Sequence, residues 1–188
     1  MTGGAHNAVV NCTLRNLGNR AVVIQNASES GVEGCDISET GDGAVILIGG
    51  DRKTLTPGNL YATDNEIRRF SRWNKTYRPA VSLQGVGHRV AHNLIHDSPH
   101  MAIALHGNEH IIEFNEIHSV CMETDDVGAF YMGRDWTQRG NVVRYNYFHD
   151  LGGVHSHVGS MAVYLDDWSS GTTVFGNICV KAGRAVLV

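Results

Sequence analysis

Two short sequence signatures alternate along the whole of this 188-residue chain, and their alternation limits the folds that it can adopt. The first has the form apolar-x-x-Asn-x-apolar, and its full copies centre on Asn65, Asn93, Asn115, Asn146 and Asn177, while two weaker copies place Cys12 and Cys35 in the same slot. The second is an apolar run led by alanine, at Ala21, Ala44, Ala80, Ala102, Ala129, Ala162 and Ala185. Each signature occurs seven times, and successive copies lie 22 to 36 residues apart.

The repeated segments are typical of strands. They are short, rich in β-branched residues and flanked by Gly or Asn, and they lack the i, i+3, i+4, i+7 spacing of a helix. Strands repeated at this period predict an all-β, right-handed parallel β-helix, in which each repeat is one coil that buries its apolar face against its neighbours. We therefore expect residues 1–188 to form a single solenoid domain of about seven coils. A leucine-rich horseshoe is excluded because the L-x-x-L-x-L pattern is missing.

Side chains in the Ala-led strands are expected to alternate between the core and the surface. The first and third residues after each alanine are uniformly apolar and should point inward. The residue between them varies and should point outward: Val23, Ile46, Ser82, Ala104, Tyr131, Tyr164 and Leu187. The Asn column is expected to line a bend, because Asn tolerates left-handed backbone and its amide can bond turn atoms and the Asn of the next coil. Stacked coils would also bring Cys12 and Cys35 near enough for a disulfide.

Extra residues accumulate on both sides of the Ala-led strands. The inserted loops lie around residues 48–59, 68–79, 118–127, 133–140 and 150–160. Because insertions in solenoids form loops, often on the binding face, these loops predict a groove over the outward face of the Ala-led strands. The polar residues expected in or beside it are Arg78, Gln84, His100, His106, Asp125, Asp126, Tyr131, Arg134, Asp135, Trp136, His155, His157, Tyr164, Asp166, Asp167 and Trp168.

Paired acids make this groove a candidate catalytic site. Asp126 precedes one Ala-led strand, and Asp166 and Asp167 follow the next one. Crossing such a strand at an angle predicts carboxylates about 5–10 Å apart, the range used in glycoside hydrolysis. One carboxyl group would protonate the leaving oxygen, and the other would act as nucleophile or activate water. Each acid taken alone fits equally well as a turn-forming residue.

Composition limits the remaining function classes. The net charge is −4 with interspersed signs, so nucleic acid is not expected as a partner. No apolar run reaches the roughly 18 residues of a membrane span, and the start MTGGAHNAVVN lacks the pattern of a signal peptide. His88, His92, His96 and His100 recur every four residues, but a strand and a bend would separate their side chains. No metal site is therefore predicted from them, and the four Cys lack C-x-x-C spacing.

The second half of the chain resembles a known family. The segment GAFYMGRDWTQRGNVVRYNYFHDLGG, followed by AVYLDDWSSG and TVFGN, is similar to carbohydrate-active right-handed β-helix proteins, most closely to glycoside hydrolase family 141, which includes fucosidases and xylanases. The resemblance covers residues 123–179 specifically and the first hundred residues only in general pattern. It implies that Asp126 and one of Asp166 and Asp167 carry catalysis, that Arg134 and Asp135 shape a subsite, and that the protein is bacterial and secreted or periplasmic.

Substrate contacts complete the predicted site. Gln84, His106, Tyr131, Arg134, Asp135, Trp136, Tyr164 and Trp168 are expected to bind a carbohydrate, the tyrosines and tryptophans by stacking on sugar rings. No cofactor is expected for a hydrolase. A polysaccharide lyase acting on uronates is the enzymatic alternative, with Arg78 or Arg134 as base and calcium held by the acids.

A third interpretation is a carbohydrate-binding or purely structural segment. Members of the family that it resembles are much longer, and this sequence ends at Val188 within a predicted strand. We therefore expect a fragment of a longer protein. Its uncovered coils predict end-to-end self-association.

Overall fold

The computed structural model of the protein describes residues 1–153 and 158–188. Within these ranges the chain forms twenty-one strands in three parallel sheets of seven, and no helix. The chain passes through the three sheets in turn and then repeats, so that each strand pairs with its equivalents one coil before and one coil after. The predicted all-β, right-handed parallel β-helix of about seven coils is confirmed. Within the described ranges, no helix has the length and apolar character that crossing a membrane requires.

The strands are numbered along the chain and grouped here by sheet. Sheet 1 contains β1 (Ala8–Val10), β4 (Gly31–Glu33), β7 (Tyr61–Thr63), β10 (Arg89–Ala91), β13 (Ile111–Glu113), β16 (Asn141–Arg144) and β19 (Thr172–Phe175). Sheet 2 contains β2 (Thr13–Leu17), β5 (Asp36–Thr40), β8 (Glu66–Arg68), β11 (Leu94–His96), β14 (Glu116–His118), β17 (Tyr147–His149) and β20 (Ile178–Val180). Sheet 3 contains β3 (Val22–Gln25), β6 (Val45–Gly49), β9 (Val81–Val86), β12 (Ile103–Asn108), β15 (Val127–Met132), β18 (Ser160–Leu165) and β21 (Arg184–Leu187).

One continuous core runs through the inside of the coils. Sheet 3 is built from the Ala-led strands, and its inward residues are buried as predicted through most of the rod: Val22, Ile24, Val45, Leu47, Val81, Leu83, Ile103, Leu105, Phe130, Met132 and Val163. Leu165 is only partly buried. Val186 and Val188 belong to the last coil, which is covered on one side only, and they are 45% and 87% exposed. Burial in a solenoid thus depends on a coil stacking above and below.

The Asn column forms a buried hydrogen-bond ladder at the corner between sheets 1 and 2. The side-chain amide of Asn93 donates to Oδ1 of Asn115 at 2.9 Å, and that of Asn115 donates to Oδ1 of Asn146 at 2.9 Å. Each Asn Oδ1 also accepts from the backbone N–H of the preceding Asn. The expectation that Asn itself takes the left-handed conformation is wrong. The residue before it does, for example His92 (φ 58°) and Phe114 (φ 55°), and this rotation turns the Asn side chain inward.

The cysteines that stand in the Asn column follow the same geometry without forming a bond. The backbone N–H of Cys35 donates to Oδ1 of Asn65 at 2.9 Å, and the N–H of Cys12 donates to Sγ of Cys35 at 3.4 Å. All four cysteines are free thiols. Cys35 therefore continues the ladder as an acceptor, while Cys12 on the first coil is exposed.

Removing one rung of this ladder is expected to destabilise the protein strongly. Replacing Asn115 by Ala leaves the buried backbone N–H of Asn93 without its acceptor, while the Asn93 amide keeps only the carbonyls of Ala62 and Ala91. Because an unsatisfied buried donor costs about 1–3 kcal/mol, we expect a loss of about 3 kcal/mol in the free energy of unfolding, measured by urea denaturation. Asn177→Ala, at the partly exposed end of the ladder, should cost only about 1 kcal/mol. Equal small losses in both variants would contradict a role for the ladder in stability.

Candidate functional site

Sheet 3 carries the groove expected from the inserted loops. Long connections at residues 69–80 and 119–126 reach the start of its strands, and connections at 50–60 and 133–140 leave their ends. The floor follows the strand register, with Ser82, Ala104, Tyr131 and Tyr164 in adjacent positions of neighbouring strands. All of these side chains point outward. The groove therefore changes from small residues in its middle to two tyrosines on β15 and β18.

The two tyrosines bring Asp126 and Asp166 together. The Tyr164 hydroxyl donates to Oδ1 of Asp126 at 3.0 Å, and the nearby carboxylate of Asp166 contributes to the raised pKa of Tyr164. The Tyr131 hydroxyl donates to Oδ2 of Asp166 at 2.8 Å. The rings of Tyr131 and Tyr164 meet edge to face, with centroids 5.6 Å apart. Asp126 and Asp166 are thereby joined through Tyr164 and Tyr131 across the two coils.

Local backbone geometry fixes both acids. Asp126 stands immediately before β15 in a left-handed conformation (φ 52°), and its backbone N–H donates to the carbonyl of Gly159 at 3.1 Å. Asp166 follows β18 and pairs with Met132 through its own N–H. Gly133 lies beside it, and a Cβ there would be 2.7 Å from Cβ of Asp166. Only glycine leaves room for the Asp166 side chain at this point of the groove.

Hydrogen bonds hold Asp166 in its ionised form. Burial opposes ionisation, but the N–H of Asp167, the hydroxyls of Tyr131 and Tyr164 and the charge of Arg134 outweigh it, so the pKa of Asp166 lies below its ordinary value. The same contacts that lower the pKa of Asp166 raise the pKa values of the two tyrosines. Burial and the neighbouring carboxylates raise the pKa of Tyr131 and of Tyr164, so both remain hydrogen-bond donors.

The residues after β15 divide between the groove and its lip. Arg134 approaches both acids of the next coil, with Nε 3.5 Å from Oδ2 of Asp166 and 3.9 Å from Oδ2 of Asp167. The side chain of Asp167 is 64% exposed, whereas that of Asp166 is 13% exposed. Asp135 turns to the inserted loop after β6, where its Oδ2 accepts from Arg52 at 2.9 Å. Asp135 therefore ties two loops together and does not join the carboxylate pair.

An aromatic pair stands beside the acids. Trp136 and Trp168 are 76% and 71% exposed, and their ring centroids lie 6.5 Å apart at an angle of 40°. Two large apolar rings left in solvent on adjacent coils form a platform that a sugar ring can cover. The platform and the acid pair belong to the same two coils, so one ligand can contact both.

A pocket of about 240 Å³ continues the groove toward the earlier coils. Gln84 and His106, which are paired in register on β9 and β12, form one of its sides. On the other side the carboxylate of Asp42 bonds both Arg20 and Arg78 at 3.2 Å. Arg20 and Asp42 were not among the residues expected in the groove. Both residues lie one or two positions before the alanine of an Ala-led strand, and Arg78 and Asp126 lie two and three positions before theirs. This shared position could have indicated that Arg20 and Asp42 reach the groove.

The remaining sequence candidates lie apart from the acid pair. The carboxylate of Asp125 lies against Gly153 in the loop after β17. His100 is buried and packs its ring against Tyr77, with centroids 5.0 Å apart. His155 and His157 lie outside the described residues.

The histidines are arranged by coil. His88, His92 and His96 each stack on an aromatic or histidine ring of the next coil, namely His110, Phe114 and His118. Among the described residues the one group with metal-ligand spacing is Glu116, His118 and His149, on the outward face of sheet 2. Its signal in the sequence is the repeated Asn-x-apolar-His of NLIH, NEIH and NYFH, which the four-residue spacing of the other histidines concealed.

Comparison of the chain with protein-family models, with curated proteins and with solved structures found no match in any of the three. The β-helix therefore rests on the strand topology itself. Because a fold alone does not define a function, the residues of the groove and their chemistry are the basis for a functional assignment.

Proposed function

We propose that the groove over sheet 3 hydrolyses glycosidic bonds with Asp126 and Asp166 as its catalytic pair. The observation that supports this most is the chain of contacts between the two carboxylates, in which Tyr164 bonds Asp126, Tyr131 bonds Asp166, and the two rings meet edge to face. Two carboxylates that face one stretch of a groove are the arrangement that glycoside hydrolases use. Turn-forming acids cap backbone amides of their own loops, as Asp166 does with the N–H of Asp167. Both acids are also bonded by tyrosine side chains of a neighbouring coil, which a turn does not require.

The environments of the two acids favour different roles. Asp166 is held ionised by three hydrogen-bond donors and Arg134, which suits a nucleophile or the base that activates water. Asp126 is exposed at the mouth of the groove, where it can meet the leaving oxygen and protonate it. The Tyr164 hydroxyl bonds Asp126 and can reorient when a substrate oxygen replaces that carboxylate as its acceptor.

The sugar would bind across the same two coils. Trp136 and Trp168 offer a stacking platform beside the acids, and the pocket with Gln84 and His106 offers a second subsite. The resemblance to glycoside hydrolase family 141 supports the same choice of acids and suggests fucosides and xylosides as first substrates. Asp167, whose carboxylate is mostly exposed and lies 3.9 Å from Nε of Arg134, is the less favoured member of the Asp166–Asp167 pair.

The lyase alternative is less well supported. A lyase base must lose its proton, yet Tyr131, Asp166 and Asp167 raise the pKa of Arg134 and keep its guanidinium charged. Arg78 is bonded to Asp42. The hydrolase mechanism needs no such deprotonated guanidinium.

Product analysis tests the proposal. The protein is incubated with aryl fucosides and xylosides, xylan and pectic polysaccharides, and both reducing ends and ultraviolet absorbance are followed. A hydrolase releases reducing ends without an unsaturated product. Calcium-dependent formation of an unsaturated product would instead establish a lyase, and glycan binding without any turnover would establish a binding module.

The three tryptophans provide a matched control for the position of the substrate. Trp136→Ala and Trp168→Ala remove the platform, and loss of a stacking contact worth about 1–1.5 kcal/mol should weaken glycan binding roughly tenfold. Trp73 is 74% exposed but packs beside Gly18 and Gly41, away from the acids. Trp73→Ala should leave binding unchanged, and equal losses in all three variants would contradict a site at the platform.

A further inference from the structure

Three histidines are stacked on the outward face of sheet 2, on a different sheet from the groove. His96, His118 and His149 occupy the same position of β11, β14 and β17. Their ring centroids are 4.7 Å apart at each step, and the rings lie within 22° of parallel. The spacing equals that of the coils, so the β-helix itself sets the separation of the rings.

Each ring is oriented through the same nitrogen. Nδ1 of His149 lies 2.9 Å from Oδ2 of Asp150, Nδ1 of His96 lies 3.0 Å from Oδ2 of Asp97, and Nδ1 of His118 lies 3.1 Å from Oγ of Ser119. In each case the partner is the residue that follows the histidine. A carboxylate beside Nδ1 accepts its proton and leaves the lone pair of Nε2 for a metal ion, and the Ser119 hydroxyl can accept from Nδ1 of His118 in the same way.

Glu116 completes a set of three ligand atoms. Its Oε1 lies 3.2 Å from Nε2 of His149, and the ligand atoms of Glu116, His118 and His149 all lie within 4.8 Å of one another. An ion with bonds of about 2.0–2.1 Å holds tetrahedral ligands about 3.3 Å apart. The Glu116–His149 pair already has this spacing, so only His118 has to turn toward it.

We propose that His118, His149 and Glu116 bind a divalent first-row transition ion of the Zn²⁺ class on the outer face of sheet 2. Two imidazoles and one carboxylate suit these ions better than Ca²⁺ or Mg²⁺, which prefer oxygen ligands. Three protein ligands leave a fourth position for water. Since the ligands come from β14 and β17, the ion would join two neighbouring coils.

Neighbouring charges are compatible with such an ion. Asp150, which bonds His149, also pairs with Lys181 at 3.3 Å. Glu66, which lies 3.5 Å from Nε2 of His96, is itself paired with Arg68 through the same carboxylate oxygen, so His96 is a stacking neighbour of the site and not one of its ligands.

The test uses Co²⁺ as a spectroscopic probe and Zn²⁺ as its competitor, in a Cys12→Ser background that removes the exposed thiol. We expect one Co²⁺ per chain with visible d–d bands that Zn²⁺ displaces. His118→Ala, His149→Ala and Glu116→Gln should each weaken binding about tenfold or more. His92→Ala removes an exposed histidine that stacks on Phe114 outside the cluster, and binding should stay unchanged.

A second readout follows the fold. At a hundredfold excess over its dissociation constant Zn²⁺ should raise the Tm by roughly 5–10 °C. At the same Zn²⁺ concentration this shift should fall to about half or less in Glu116→Gln, whose side chain is half exposed and whose replacement leaves the core untouched. The proposal is overturned if no ion binds to the Cys12→Ser protein below millimolar concentration, or if Glu116→Gln and His92→Ala bind equally well.

Discussion

An Asp166→Asn variant is expected to lose about a thousandfold in kcat/KM on any glycoside that the protein cleaves, while its Tm stays close to that of the parent. The size follows from the loss of a positioned nucleophile or base, which contributes about 10²–10⁴-fold. Asn has the shape of Asp and still accepts from Tyr131, so the hydrogen bond at 2.8 Å can persist in neutral form. The loss should appear in kcat more than in KM, because the group acts on the transition state.

The leaving group separates the roles of the two acids. Asp126→Asn should be as slow as Asp166→Asn on a natural oligosaccharide, yet recover much of its rate on an aryl glycoside whose phenol needs no protonation. Asp166→Asn should be slow on both. Asp167→Asn should lose less than about tenfold, because its carboxylate is 64% exposed and lies 3.9 Å from Arg134. Wild-type rates in both Asp126→Asn and Asp166→Asn would contradict the paired mechanism.

Mild acid is expected to unfold this β-helix through three buried histidines. Burial lowers the pKa of His88 to about 4, that of His100 to about 4 and that of His110 to about 3. In the unfolded chain these groups take up protons near pH 6.5, so the unfolded state binds more protons than the folded state below that pH. Their stabilising contribution is complete above pH 6.5 and is lost as the pH falls from 6.5 to about 4.

At pH 5 the loss amounts to about 2 kcal/mol for each histidine and about 6 kcal/mol for the three, set against a typical total of 5–15 kcal/mol. The geometry explains why protonation is resisted. Nδ1 of His88 accepts from the N–H of Leu60 at 3.2 Å, and Nδ1 of His110 accepts from the N–H of His88 at 3.0 Å. A proton on Nδ1 would remove these acceptors. Urea denaturation at pH 7.5 and pH 5.0 measures the difference directly.

A residue of the next coil indicates which substitution of His110 can serve as a control for the acid effect. On the next coil Asn141 occupies the same position as His110 and accepts from the N–H of His110 at 3.0 Å through Oδ1. His110→Asn should therefore keep an acceptor and remove the titrating group, so its stability should fall about 2 kcal/mol less between the two pH values than that of the parent. His92→Asn, on the surface, should leave the pH dependence unchanged. An equal pH dependence in the parent and in His110→Asn would contradict this account.

The repeated strands made the fold predictable, because every coil has to bury its apolar face against the neighbouring coils. A single repeat shows the period only weakly, but seven repeats define it clearly. The period then predicts which side chains point inward, where the Asn ladder turns, and on which side the inserted loops lie. The conformation of Asn was mispredicted for a local reason. The turn of the backbone between sheets 1 and 2 requires a left-handed conformation at the residue before each Asn, and residues as different as His92 and Phe114 adopt it.

The site was only partly readable from the sequence. Neighbouring coils and outward alternation were enough to expect Asp126, Asp166 and the two tyrosines in one groove. Hydrogen-bond partners depend on side-chain directions that strand periodicity leaves open. Asp135 was expected in a subsite and bonds Arg52, eighty-three residues earlier in the chain. Likewise, His118 and His149 lie near Glu116 because the register of sheet 2 aligns them. The expectation that histidines separate concerned His88, His92, His96 and His100 along the chain, and it left out histidines at the same position of successive coils.

The position of a bound oligosaccharide tests the central claim most directly. A crystal structure of Asp166→Asn with an uncleaved substrate would place the glycosidic oxygen relative to residues 126 and 166. We predict that this oxygen lies within hydrogen-bond reach of Asp126, with the anomeric carbon facing residue 166 and one sugar ring covering Trp136 and Trp168. A glycan bound to another face, or in the groove with its glycosidic bond out of reach of both acids, would contradict the proposed function.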